Sequence, residues 1–213
     1  MKPIIVPKLR AALLAWPLWP LWPLWPLWLV LIGAFMAAPS PVNAQERIGV
    51  MAAALEPATR ETGDALLLNA TFEFEMPQAL EEAVQKGIAL YFNIEFEMFR
   101  KRWYWFDRRV ASSTLTYRLS YSPLTRQYRL ARGGLSQPFE SLDEALRLLK
   151  SVRNWKVADK SVLSPREEYD AQVRMRLDVT QLPKPFQVNA ITSREWTLAS
   201  DWREVPVTAE LIR

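Results

Sequence analysis

Residues 90–121 read LYFNIEFEMFRKRWYWFDRRVASSTLTYRLSY, and the fold turns on how this stretch is parsed. Leu90, Phe92, Ile94, Phe96 and Met98 alternate with Tyr91, Asn93, Glu95 and Glu97. Strand side chains point to opposite faces with period two, so the first set makes one apolar face. Leu115, Tyr117, Leu119 and Tyr121 repeat the pattern, with Thr116, Arg118 and Ser120 opposite. The stretch therefore predicts a long β-hairpin with an aromatic middle, Arg102-Trp103-Tyr104-Trp105-Phe106-Asp107-Arg108-Arg109. Its turn, expected around Arg100 to Arg102, holds no Gly, which argues against a tight two-residue turn. Inward parity is even at Met98 and Val110 and odd from Leu115, so a bulge is expected within Ala111-Ser112-Ser113-Thr114.

Upstream, Ala65 to Met76 reads as a strand, with Phe72, Phe74 and Met76 alternating with Glu73 and Glu75. Pro77 suits a helix start, Leu80, Ala83 and Val84 give an i, i+3, i+4 stripe, and Gly87 suits a stop. Downstream, Ser122 to Thr125 is a turn, Arg126 to Arg132 a strand with Tyr128 and Leu130 inward, and Gly133-Gly134 its end. Ser141-Leu142-Asp143-Glu144 is a capping box that opens a helix with a Leu142, Ala145, Leu146, Leu149 stripe. Trp155 to Val157 and Tyr169 to Val179 are further strands, the latter with Gln172, Arg174, Arg176 and Asp178 outward. Leu182-Pro183-Lys184-Pro185-Phe186 is expected to cross as an extended segment, because proline cannot serve a central ladder. Trp196 and Trp202 are expected to cover one edge of the sheet. The chain is thus mainly β: an antiparallel β-sandwich or strongly curved sheet of six to seven strands with two short helices.

Residues 1–44 read as a signal peptide. Lys2, Lys8 and Arg10 are the only charges in it, Leu27 to Ala38 has the length of a hydrophobic core segment, and Val42-Asn43-Ala44 fits cleavage between Ala44 and Gln45. The alternative is an uncleaved anchor, since the uncharged run is long enough to span a bilayer. The expected location is the periplasm, or the inner membrane with the domain facing the periplasm. The Trp-Pro-Leu repeat from Trp16 to Trp28 is either a polyproline II rod or a tandem repeat in a tolerant leader. Residues 45–63 are expected as a linker that starts with a short strand at Ile48 to Ala54. Residues 64–205 are expected as the β-rich domain and 206–213 as a tail.

The formal charge of +4 comes mostly from the leader; beyond it 24 basic residues face 23 acidic ones. That balance offers no electrostatic footprint for nucleic acid. The chain has no Cys and no His, which excludes disulfides, Cys or His metal sites, and catalytic triads that use them. There is no glycine-rich phosphate loop, and none of the motifs calls for a cofactor.

Two places remain for chemistry. Glu73, Glu75, Glu95 and Glu97 lie outward on strands; they suit a hard cation, or a carboxylate-based hydrolase or carbohydrate-active protein, or simply pair with outward Arg118, Arg129, Arg174 and Arg176. Arg100, Arg102, Arg108 and Arg109 bracket Trp103 and Trp105; this is a composition that binds an envelope protein or a lipid head group, or fills a core and stacks under arginines. Lys184 and Phe186 of the proline-rich segment join that candidate surface. Partner identity and oligomeric state are not legible from these residues.

Leu90-Tyr91-Phe92, Arg102 to Asp107, Tyr117-Arg118-Leu119-Ser120-Tyr121 with Leu124 to Tyr128, and Leu182 to Gln187 together resemble the bacterial domain of unknown function 4390 family, over Leu66 to Trp202. The leader resembles that of members described as proline-rich signal peptide proteins. The resemblance implies an exported Gram-negative protein with no activity to carry over. It also implies a gene neighbourhood that often holds a nitrogen-regulation-type sensor kinase.

Overall fold

The structure, a computed structural model, describes residues 47–58, 64–102 and 107–212. Residues 1–46, where the signal peptide and its Ala44–Gln45 cleavage were expected, and Trp103 and Trp105 lie outside the described residues. In chain order the elements are β1 (Gly49–Pro57), β2 (Ala65–Glu73), α1 (Gln78–Gln85), β3 (Leu90–Arg100), β4 (Arg108–Ser122), β5 (Gln127–Arg132), β6 (Leu135–Phe139), α2 (Leu142–Leu149), β7 (Ser151–Asp159), β8 (Tyr169–Leu177), α3 (Lys184–Thr192), β9 (Arg203–Val205) and α4 (Ala209–Ile212). They build two antiparallel sheets, β1-β2-β7 and β6-β5-β4-β3-β8-β9. The fold class is the one expected, mainly β and antiparallel, consistent with a sandwich or curved sheet; among the described residues there are nine strands and four short helices where six to seven strands and two helices were expected.

The central hairpin carries the core. Leu90, Phe92, Ile94, Phe96 and Met98 are fully buried, as are Val173 and Met175 on β8 and Leu119 on β4. Phe72 and Leu68 of β2 join them from the smaller sheet. Burying a large apolar side chain stabilises by about 1.5–3 kcal/mol, so this shared interior is the main force holding the sheets together. Ser113 Oγ on β4 also donates across to the Val157 carbonyl on β7 at 3.0 Å.

The bulge falls one residue before the expected window. Met98 pairs with Ala111 and Phe99 with Arg109, which leaves Val110 as the extra residue. Parity brackets the change of face, but only the partner strand decides which residue is extruded. The strands part after the Arg100–Arg108 pair, so the connection is 101–107 rather than a turn at Arg100 to Arg102.

Both expected helices form. On α1, Leu80, Ala83 and Val84 are buried, and Gly87 ends it with φ +85°, a conformation that favours glycine. Ser141 caps α2 by accepting from the Glu144 N–H, while the Glu144 carboxylate accepts from the Glu140 N–H, one residue upstream of an ordinary capping box.

The short strand expected at Ile48 to Ala54 forms as β1 and runs on to Pro57; it pairs along β2 and buries Leu55, and its Ala-rich sequence has weak periodicity because one face is open. Two expectations are corrected. The tail carries α4, with Ile212 buried and Val207 and Leu211 packed on the core. The proline-rich segment is not extended: it opens α3, with Phe186 and Gln187 N–H groups both donating to the Pro183 carbonyl. Prolines are harmless in a first helical turn, where the N–H groups have no intrahelical partner. Gln187 Nε2 also donates to the carbonyls of Thr180 and Leu182, which ties the turn before α3 to the helix. Asp178 anchors this crossing by accepting from Asn93 Nδ2 at 3.0 Å and from the Thr180 N–H and hydroxyl.

Pro138 sits on the edge strand β6. The Gly133-Gly134 turn makes Arg132–Leu135 a bonded pair, so Leu135, Gln137 and Phe139 face β5 while Ser136 and Pro138 face outward. Proline thus removes a donor from the exposed edge and blunts strand addition.

Candidate functional site

The arginine-rich end of the hairpin is built by antiparallel pairing of β3 with β8. That register sets Arg100 opposite Tyr169 and Phe99 opposite Asp170, and it brings the 163–168 loop onto the hairpin neck. Arg100 Nη1 donates to both Glu167 oxygens, at 2.7 and 2.9 Å. Tyr169 Oη donates to Glu167 at 3.0 Å and accepts from the Ser164 N–H. Lys101 Nζ lies 2.9 Å from Asp170, and its N–H donates to the Glu168 carbonyl. The Arg102 N–H donates to Asp107 Oδ1, which closes the neck of the turn. Arg109 donates to Glu97 at 2.9 Å, and Arg108 is exposed at the start of β4.

Charge pairing shifts these groups. The Arg100 guanidinium holds the Glu167 carboxyl below its ordinary value against the opposing effect of burial. Asp170 holds the Lys101 ammonium above its own. Burial pushes the Tyr169 phenol up. Each shift favours the form already present near neutral pH.

Lys184 and Phe186 are not part of this surface. They follow the other end of β8, and eight residue steps along the strand separate the Arg100–Tyr169 and Phe92–Leu177 pairs, about 27 Å at ~3.4 Å per step. Phe186 instead lies half-buried, 5.6 Å from the ring of Trp196, and Lys184 is exposed.

Three hollows adjoin the hairpin neck. One of about 800 Å³ lies between Arg100, Arg102, Asp107 and the Arg166–Glu168 loop. One of about 1040 Å³ runs along Tyr169 and the Val205–Ile212 segment. One of about 380 Å³ is lined by Phe99, Asp107, Asp170, Ala171, Gln172 and Glu204. Glu167, Tyr169, Asp170 and Glu204 are site residues that periodicity missed. The run Glu167-Glu168-Tyr169-Asp170 next to a strand start is the signal that complements Arg100 to Arg102.

The outward glutamates are divided. Glu73 lies on β2 of the smaller sheet and meets Lys150 at 2.7 Å, whereas Glu95 and Glu97 lie on β3. They therefore do not stand on adjacent strands. Glu95 accepts from Arg174 at 2.6 Å and Arg176 at 2.8 Å. Burial pushes its carboxyl up, but the two guanidinium groups outweigh that and hold it below the ordinary value. Trp202 covers Arg174 at 4.3 Å, so this tryptophan does cap the outward face near the β9 edge. Among the described residues no group of three or more acidic, His or Cys side chains is placed to hold a metal ion.

The fold and site define a two-sheet antiparallel β domain with a charge-matched cleft at one end of its larger sheet. The chain belongs to the family described as Domain of unknown function (DUF4390), whose model matches residues 53–206, from within β1 to just past β9. No curated protein and no solved structure matches it.

Proposed function

We propose that the protein is an exported, non-enzymatic binding module of the bacterial envelope that meets a protein partner at the hairpin end. The observation that carries this reading is the gathering of three hollows around Arg100–Arg102, each lined by charged groups from separate parts of the chain. The hollow at the neck has four basic and four acidic lining residues, a balance that suits a polypeptide better than an anionic lipid head group. The leader supports export, and it would tether the domain to the membrane if left uncleaved. A sensor-kinase ectodomain is the partner that the family resemblance suggests. The two arginines that hold the Glu95 carboxyl below its ordinary value weigh against the alternative of a carboxylate-based hydrolase or carbohydrate-active protein, because a general acid needs a raised carboxyl pKa.

The test is photo-crosslinking in cells, with the crosslinking residue placed at Arg102 and, as a control, at Lys184. Crosslinks are expected at 102 and not at 184, and those at 102 should vanish when the folded protein also carries Trp103→Ala and Arg108→Ala. Crosslinks that persist in that variant would remove the hairpin end as the site. Purified protein that turns over glycans or esters, with activity lost in Glu95→Gln or Glu97→Gln, would replace the reading by the enzymatic one.

A further inference from the structure

The smallest hollow lies on the outward face of the larger sheet. Cross-strand pairing sets Phe99 opposite Asp170 and Gln172 opposite Glu204, so all four share that face. The lining holds three carboxylates, an amide and one aromatic ring, with no Lys or Arg. Neighbouring cations are already engaged: Lys101 with Asp170, and Arg109, which pairs with Phe99 across the strands, with Glu97. Asp107 accepts the Arg102 N–H and lies within electrostatic reach of Lys101, and Glu204 has no basic partner among the described residues. An aromatic face beside Glu204, the carboxylate left without a basic partner among the described residues, attracts an organic cation.

A second feature adjoins it. The Leu177 N–H donates to Leu198, and the Ser200 N–H donates to Met175, so odd-numbered β8 residues aim their backbone groups toward the 198–205 segment. Tyr169 has that parity, but β9 ends at Val205, and Pro206 cannot continue a ladder. Val207 would oppose Tyr169 in register, yet no backbone bond joins the two. The 1040 Å³ groove lies beside this open edge. A strand added there would send alternate side chains to the outward face, next to Asp170 and Glu204.

We propose that the Phe99 hollow seats a lysine or arginine side chain of a partner polypeptide whose backbone lies as a short added strand along β8 at Tyr169. This deepens the reading of the hairpin end as a protein-binding surface and rests on it. The probe is a fluorescein-labelled, amidated heptapeptide Ser-Thr-Val-Lys-Val-Thr-Ser and its twin with norleucine for lysine, titrated by anisotropy into the full chain in detergent. The lysine peptide is expected to bind at least about tenfold tighter than the norleucine peptide, a difference that falls with salt. Glu204→Gln is expected to erase most of that preference, and Phe99→Leu to reduce it. Glu204 is exposed, so its variant carries no burden on folding and decides the matter if Phe99→Leu fails to fold. Equal binding of the two peptides, no binding of either, or an unchanged preference in Glu204→Gln overturns the proposal. Crosslinking at Arg102 that succeeds while the lysine preference fails removes this inference alone; crosslinking that fails removes the underlying reading.

Discussion

Replacing Glu95 with Gln separates a structural carboxylate from a catalytic one. The Glu95 side chain is 16% exposed, and its two guanidinium partners are 34% and 36% exposed. Hydrogen bonds to a charged group contribute about 1.5–3 kcal/mol each. Water re-solvates the arginine heads once the charge is gone, and Gln keeps one acceptor, so the net loss should be about 1–2 kcal/mol. For a domain of this size that lowers the Tm by roughly 2–8 °C. The assay is urea denaturation followed by tryptophan fluorescence, in which the midpoint should fall and the slope should stay constant. The folded Glu95 carboxyl titrates below its ordinary value of 4.5. Its contribution is therefore complete above that value and disappears as pH falls through the lower folded one. Wild type and variant should differ in stability at neutral pH and converge in acid. A variant as stable as wild type at pH 7, or a difference that persists undiminished in acid, would refute the reasoning.

Asp178→Ala removes the acceptor of three hydrogen bonds beneath the crossing to α3; Thr180 is exposed and water can replace its two, so the cost comes mainly from the buried Asn93 amide and should be about 1–3 kcal/mol. Hydrogen exchange should then quicken in residues 178–182 before it does so in β3. Pro138→Val restores an outward-facing N–H on β6 and should raise self-association above wild type in sedimentation velocity, with the fold unchanged by circular dichroism. Equal sedimentation of the two proteins would show that the proline does not guard that edge.

Several features were legible because they depend on neighbours in sequence. The inward rows Leu90 to Met98 and Ala171 to Leu177 follow from period two, and all of them are buried. The α2 stripe and its Ser141 cap follow from helical spacing and side-chain chemistry. Other features gave no local signal. Leu135 to Phe139 is a strand whose residues are mostly exposed, so no apolar row marks it. Pro183 and Pro185 forbid a ladder but permit either an extended run or a first helical turn, and local sequence does not choose between them.

Sequence alone determined which side chains turn inward on the central strands, where two helices start and stop, and that Cys or His chemistry is absent. Family membership was also readable from ordered motifs. Tertiary structure decided the rest: which residue bulges, which strands share a sheet, and which charges meet. Arg100 reaches Glu167 across 67 residues, and Glu95 reaches Arg174 across 79. Such pairs are set by strand register, which is chosen by the partner strand and by burial of the whole face, so no single stretch encodes them.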